Sequence, residues 1–394
     1  MKSLLRKMIP GFAVGWYHFS LAFLGAFLFG FPSKRLTVVG VTGTNGKSTV
    51  VDFISRILEA SGQKTASASS IRFKIGREEI PNSLKMTMPG RFKLQKFLKK
   101  ALKEGCRFAV LEVTSEGIKQ SRHKFIDFKA AVFTNLTPEH IESHGGFENY
   151  KKAKGKLFSS CKKIHVINSD DPNAEYFLSF PAEKKVEYRF EDIGKYQPFD
   201  FKLLGKFNIY NALAALAVGS ALGLDGKTSK KALEKVDVIP GRMEEVVSSP
   251  FKAVVDYAHT PDSLKKVYEA LKSERGRMIC VLGSCGGGRD KWKRPEMGKI
   301  AGSFCDKIIL TNEDPYEEPP LKILEDIEKG FSDFSIAEKI LDRREAIKKA
   351  LSIARENDTV IVTGKGCEPW MCVGKGKKIP WSDKEIILEE IKKI

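Results

Sequence analysis

The sequence predicts an α/β protein: a P-loop central domain on a mostly parallel sheet, then a C-terminal Rossmann-like domain, with a short apolar N-terminal helical segment in front. Three observations carry this. A buried strand, a glycine loop and a helix follow one another over residues 36–62. Strand-like and helix-like runs then alternate to about residue 238, the pattern of a parallel sheet with helices on both faces. The alternation resumes after residue 239, where KAVVDYA, RMICVLGS, DKIILTN and DTVIVTG read as strands separated by helical stretches. The expected divisions are 1–33, 34–238 and 239–394.

Composition sets the outer limits. A chain of 394 residues is too long for one ordinary core, and roughly two to three domains is the prior. With 42% hydrophobic and 29% charged residues, global disorder is excluded. The net charge is +18, from 67 Lys+Arg against 49 Asp+Glu. The lysines are spread along the chain, so much of this is solvated surface; the sharper reading is attraction to nucleotides, pyrophosphates or an acidic membrane. No basic stripe with interleaved aromatics occurs, so no nucleic-acid partner is expected. Seven scattered cysteines without a CxxC imply free thiols in a reducing cytoplasm and no zinc ribbon.

The first segment is apolar. Residues 8–33 carry no Lys, Arg, Asp or Glu, while Lys2, Arg6 and Lys7 precede them and Lys34 and Arg35 follow. A nucleotide-type loop comes too soon after it for a secretory signal. Phe12 to Phe29 is 18 residues, broken by Gly15 and Gly25 and containing His18, against the about 20 that a spanning helix needs. Three readings stand: an aromatic helix packed on the following domain, a helix in the membrane interface giving peripheral contact through residues 9–31, or a short span.

Residues 36–42, LTVVGVT, are the first strand; GTNGKST, Gly43–Thr49, is the loop; VVDFISRILEASG is the helix. This geometry points backbone N–H groups and a helix N-terminus at phosphate oxygens. Gly43 and Gly46 allow close approach, Lys47 reaches the β/γ-phosphates, and the Ser48 hydroxyl can sit on Mg²⁺. Further chemistry-bearing runs follow in order: FAVLEVTSEG ending a strand at Glu112, FKAAVFTNLTPEHIESHG with Asn135 and His140, NYKKAKGKLF with Lys154, LLGKFNIYNALAALA, IPGRMEEV, DYAHTPDSL, GSCGGGRDKWKRPEMG, TNEDPYEEP and GKGCE.

Taken together, TGTNGKS and these ordered motifs resemble the Mur ligase family, over residues 36–394. DYAHTPDSL and GRDKWKRPEMG favour the type that adds the third peptide residue. The resemblance implies an ATP-dependent ligase that joins an amino acid to a UDP-N-acetylmuramoyl-dipeptide-like precursor through an acyl phosphate. It implies an ATP site of Gly43, Thr44, Asn45, Gly46, Lys47, Ser48, Thr49, Asn135 and Asn211, with Arg242, Asp256 and His259 from the second domain. It assigns Mg²⁺ to Ser48 and Glu112, with His140 helping to hold a second ion. Lys154 matches the lysine that the family carbamylates, which would turn a cation into a metal-supporting anion. Read without the family, Glu112 is a strand-end carboxylate, His140 a loop hydrogen-bonder and Lys154 one of several lysines.

The resemblance also assigns substrate residues. Ser115, Gln120 and Arg122 match the family's SSHALxQxR, with Glu116 in place of its His; Thr87, in TMP, matches its TTP loop. Arg122 suits a carboxylate because its fork pairs bidentately. Arg289, Asp314, Tyr316, Gly364 and Glu368 match the subsite of the incoming amino acid. Diaminopimelate-adding members carry DNPR where this chain has EDPY, residues 313–316. Tyr316 cannot form a bidentate ion pair with a distal carboxylate, which lowers the expectation of diaminopimelate; Glu313, Asp314 and Glu317 could suit a side-chain amine such as lysine or ornithine, against the plainer reading of solvated loop acids. Only 42 residues precede Gly43, too few for the family's UDP-binding first domain, so UDP is expected to be held otherwise or the acceptor to be lipid-linked. The rival from another class is a membrane-associated nucleotide-binding scaffold without turnover.

Overall fold

The computed structural model describes residues 11–394 apart from Lys85 and Glu274. The chain forms two compact units. The first takes the chain up to Leu136, Glu148–Phe201 and Ile209–Lys235; the second takes Thr137–Phe147, Lys202–Asn208 and Val236–Ile394.

The first unit opens with helix α1 (Gly11–Leu28), then strand β1 (Thr37–Thr42) and helix α2 (Lys47–Ala60). Strands β2 (Thr65–Ala68), β3 (Arg72–Ile75) and β4 (Glu78–Pro81) lead to α3 (Arg91–Lys103) and β5 (Phe108–Glu112). Helix α4 (Ser115–Lys119), β6 (Phe128–Phe133), α5 (Phe147–Ser160), β7 (Ile164–Asn168) and β8 (Lys184–Tyr188) follow. The sheet order is β4-β3-β2-β5-β1-β6-β7-β8. From β2 to β8 all pairs are parallel, and β3 and β4 extend the edge as an antiparallel hairpin. Val38, Val39 and Val41 of β1 are fully buried, as a central parallel strand covered on both faces requires. Because β1 lies between β5 and β6, the loops after these three strands emerge side by side, at the point where chain direction across the sheet reverses.

Helix α1 packs on α3 through small residues, among them the buried Ala22 and Ala26. Among the described residues no helix is long and apolar enough to cross a membrane. Residues 9 and 10 of that stretch, with Lys2, Arg6 and Lys7, lie outside the described residues.

In the second unit, β9 (Glu244–Val247), β10 (Lys252–Asp256), β11 (Met278–Leu282), β12 (Lys307–Leu310), β13 (Ala337–Lys339) and β14 (Thr359–Thr363) form a sheet of order β13-β12-β11-β14-β10-β9. All its pairs are parallel except β9 with β10. One face of the sheet packs Leu264, Tyr268, Met297 and Ile327, the other Ile347, Leu351 and Ile387. The Arg343 guanidinium is fully buried and pairs with the equally buried Asp383 at 2.7 Å. Cys280 of β11 and Cys305, at the end of the helix Lys293–Phe304, are joined in a disulfide, which corrects the expectation of seven free thiols. Their Cα atoms lie 6.1 Å apart, within bridging reach, and only the packing of that helix on β11 sets this separation.

Candidate functional site

In the first unit the site is built on the loop after β1. Gly43 has φ 151°, and a Cβ there would lie 1.9 Å from the Thr134 Oγ1. Gly46 has φ 82°, and its Cβ would lie 2.2 Å from the Asn211 Oδ1. Both positions therefore exclude any side chain, and the Asn211 carboxamide is packed directly behind the loop. Gly46→Ala is expected to lower stability by about 1–3 kcal/mol and to weaken nucleotide binding, read by thermal melting and a nucleotide titration.

The loop is clamped from the β6 side. Asn135 accepts the Asn45 N–H at 2.9 Å and donates back to the Asn45 carbonyl at 3.1 Å, while its own carbonyl accepts the Thr44 N–H at 2.8 Å. Thr134 donates to the Asn45 carbonyl at 2.7 Å. From α5, Lys154 donates to the Gly43 carbonyl at 2.6 Å and lies 4.5 Å from the centre of the Tyr150 ring. The Tyr150 hydroxyl is 3.1 Å from the Thr44 hydroxyl. Lys154 is thus a buried lysine of the loop's foundation and not one of the solvated ones. Tyr150 stands four residues before it on the same helix face, a spacing that could have flagged it.

At the end of β5, Glu112 is buried and accepts from the Ser48 hydroxyl at 2.7 Å and from the Ser70 N–H and hydroxyl at 2.9 and 3.0 Å. Lys47 donates to the Thr44 carbonyl at 2.8 Å, and its ammonium lies 3.8 Å from the second Glu112 oxygen. Thr49 is buried in the first turn of α2. Glu112 and Ser48 give a carboxylate and a hydroxyl in contact, the hard oxygen donors that Mg²⁺ takes while keeping waters, so the donor set fits that ion. Ser70 was invisible to motif reading; its one signal is its place just after β2, at the same sheet edge.

Ser70 also connects this cluster to the TMP loop, its hydroxyl 3.2 Å from that of Thr87. Arg122 donates to the Met88 carbonyl and, at 2.8 Å, to the Gln120 side chain. Its Nε is buried without a partner, and burial followed by the neighbouring Arg91 pulls its pKa down. Ser115 is buried at the start of α4. Thr87, Gln120 and Arg122 are therefore brought to one corner.

The remaining predicted residues belong to the second unit. His140 caps the short helix Ile141–His144 from a left-handed conformation, φ 57°. The same helix has its first N–H groups, from Ile141 and Glu142, on Asp290 at 3.0 and 3.1 Å. Arg242 lies over the Tyr257 ring at 4.3 Å. Asp256 is buried, accepts the Met243 and Ala258 N–H groups at 2.7 and 2.6 Å, and has its pKa raised by burial. His259 donates from Nδ1 to the Tyr257 carbonyl at 2.7 Å; burial, then Lys293, hold it well below the usual histidine range, so its ring is neutral.

A second cluster surrounds the EDPY turn. Lys365 pairs with Asp314 at 3.0 Å and with Glu368 at 2.6 Å, and Tyr257 donates to Glu368 at 3.2 Å. Cys285 donates to one oxygen of Glu313 at 2.9 Å; the other is buried without a partner, where a Cβ on Gly364 would meet it at 2.3 Å. Burial and the Asp314 charge raise the Glu313 pKa. Tyr316 is held at φ 53°, its N–H on the Cys372 carbonyl at 3.2 Å, and its ring lies against Gly287.

Fold and site define a P-loop α/β enzyme with a second Rossmann-like unit. Comparison with known proteins agrees. The description "Mur ligase middle domain" matches residues 41–195, and "Mur ligase, glutamate ligase domain" matches residues 241–366. A UDP-N-acetylmuramoyl-L-alanyl-D-glutamate--2,6-diaminopimelate ligase of Caldanaerobacter subterraneus is 37% identical over 383 residues, covering 91% of this chain and 78% of that protein. The enzyme of the same name from Aquifex aeolicus is 38% identical, with 92% and 78% covered. A solved structure of a ligase of that name is 32% identical with TM-score 0.59, covering 91% of this chain and 79% of its own. A Mycobacterium tuberculosis folylpolyglutamate synthase shares the fold alone, at 18% identity and TM-score 0.70, with 88% and 92% covered. The chain belongs to the Mur ligase family, ATP-dependent ligases that form amide bonds in peptidoglycan synthesis.

Proposed function

We propose that this ligase adds an amino acid bearing a distal amine to a UDP-N-acetylmuramoyl-dipeptide-like acceptor. The single observation that supports the reaction is the loop Gly43–Thr49 with Ser48, Lys47 and Glu112 in mutual contact. In this reading an acceptor carboxylate oxygen attacks the γ-phosphorus of ATP, the bond from that phosphorus to the β,γ-bridging oxygen breaks, and ADP leaves. The amine of the incoming amino acid then attacks the acyl carbon, loses a proton, and inorganic phosphate departs. Lys47 and the loop N–H groups neutralise the β/γ-phosphates; Gln120 and Arg122 hold the acceptor carboxylate; Asn135 keeps the loop in register. Ser48 and Glu112 would hold Mg²⁺, with a carbamylated Lys154 supporting a second ion; the metal would supply charge neutralisation on phosphate.

The amino acid is proposed from the EDPY turn. The relatives are named for 2,6-diaminopimelate, whose distal end carries both an amine and a carboxylate. Here Glu313, Asp314 and Glu368 stand beside Arg289 and Lys365, while Arg343, which also acts on Glu313, is committed to Asp383, and Tyr316 stands where a fork would grip a carboxylate. That balance supports lysine or ornithine. Phosphate release from ATP and Mg²⁺ should require UDP-N-acetylmuramoyl-L-Ala-D-Glu and one such diamino acid. Tyr316→Arg should shift kcat/KM toward diaminopimelate by about tenfold or more. Wild-type preference for diaminopimelate would refute the assignment of the amino acid, and no release with any amino acid would refute the acceptor. Peripheral membrane contact through residues 9–31 is proposed independently of the reaction.

A further inference from the structure

Helix α1 is inverted relative to an ordinary surface helix, which turns its large apolar residues inward. Its inward face is small: Ala22 and Ala26 are buried, and Gly25 sits so close to α3 that a Cβ would touch the Phe92 and Arg91 backbone at 3.6 and 3.7 Å. Its outward face is large. Trp16 is 70% exposed, Tyr17 61%, Phe23 46%, Phe27 62% and Leu28 62%. Residues 16, 20, 23 and 27 follow helical spacing, so Trp16, Phe23 and Phe27 form one stripe with Ser20 between them. A contiguous apolar stripe of this size on a soluble protein marks an interaction surface.

Charge narrows the partner. The exposed Lys34 lies 5.2 Å from the centre of the Phe31 ring, Arg35 is exposed next to it, and exposed Lys93 and Lys124 adjoin Phe92 and Phe125, the first beneath α1 and the second against it. The whole chain carries +18. Aromatic apolar surface bordered by lysine is the composition that binds the interface of an anionic bilayer, where rings enter the headgroup region and ammonium groups meet lipid phosphates. We propose that the outward face of α1 docks on an anionic phospholipid surface, the helix lying in the plane of the interface.

The same helix touches the acceptor corner. His18 contacts the Arg91 guanidinium, Arg91 donates from Nε to the Gln120 carbonyl at 2.9 Å, and Gln120 holds Arg122. Phe19 and Phe23 pack on Phe125, three residues after Arg122, with ring centroids 5.1 and 5.4 Å apart. Docking therefore sets Gln120 and Arg122 near the lipid, where an acceptor carried on a lipid would arrive. That consequence rests on the ligase reading; the docking itself does not.

The test is cosedimentation of the full chain with vesicles of phosphatidylcholine alone and of phosphatidylcholine mixed with phosphatidylglycerol. Binding should require phosphatidylglycerol and weaken with salt. Trp16→Ser combined with Phe27→Ser should reduce it by about tenfold or more, and Lys34→Glu combined with Lys124→Glu likewise, with phosphate release on a soluble acceptor unchanged. Wild-type protein that ignores phosphatidylglycerol overturns the proposal. So does a dimer in analytical ultracentrifugation that Trp16→Ser with Phe27→Ser dissociates while vesicle binding is absent, since the face is then covered by a second copy. Vesicle binding without any ligation would retain the docking and sink the ligase reading; ligation without vesicle binding would do the reverse.

Discussion

Lys47→Ala is expected to lower kcat/KM for ATP-dependent phosphate release by about a thousandfold, roughly 4 kcal/mol of transition-state stabilisation. The ammonium is tethered to the Thr44 carbonyl at 2.8 Å and stands 3.8 Å from Glu112, so it is already aimed across the mouth of the loop. The side chain is partly exposed and its loss opens no cavity, so the melting temperature should hold while turnover falls. A variant that keeps more than a tenth of the wild-type rate would remove Lys47 from the phosphate site. The loss should appear in kcat as well as in KM, because negative charge builds on the β,γ-bridging oxygen of the departing ADP in the transition state.

Lys154→Ala should cost about as much. Lys154 is buried, donates to the Gly43 carbonyl at 2.6 Å and stacks over Tyr150. A purely structural lysine there would be replaced tolerably by arginine, which keeps the charge and the donor. A lysine that must take up CO₂ would not, since the guanidinium of Lys154→Arg forms no carbamate. The expected result is loss of turnover in both variants, with ATP affinity changed by less than about tenfold. Intact-protein mass spectrometry in bicarbonate buffer should then show a CO₂ adduct on wild-type protein only. Full activity in Lys154→Arg would leave the residue a foundation of the loop and nothing more, and full activity in Lys154→Ala would remove it from the chemistry altogether.

The two variants also mark how far the sequence reaches. The glycine loop was legible because its geometry is local: a strand, two glycines in left-handed or extended-positive φ, a lysine and a helix follow within a few residues. The central strands were legible for a similar reason, since burial on both faces leaves continuous apolar runs such as TVVGVT and TVIVT. The hairpin of β3 and β4 was not. RFKI and EEIP carry charges and all of β4 is exposed, so no apolar period announces an edge strand. The disulfide between Cys280 and Cys305 was equally hidden, because cysteine counting cannot tell which helix face meets β11.

From the sequence alone came the P-loop, the alternating strands and helices, and the ordered motifs that place the chain among Mur ligases. The tertiary structure alone decided that Ser70 shares Glu112 with Ser48 from 42 residues away, that Asn211 closes the space behind Gly46, and that Lys154 is buried under Gly43. It alone decided that α1 turns alanine inward and tryptophan outward. The physical reason is the same in each case. Local sequence records backbone conformation and the period of burial, whereas the partner a polar group finds, and the face a uniformly apolar helix hides, depend on strand order and on which surface packs against it.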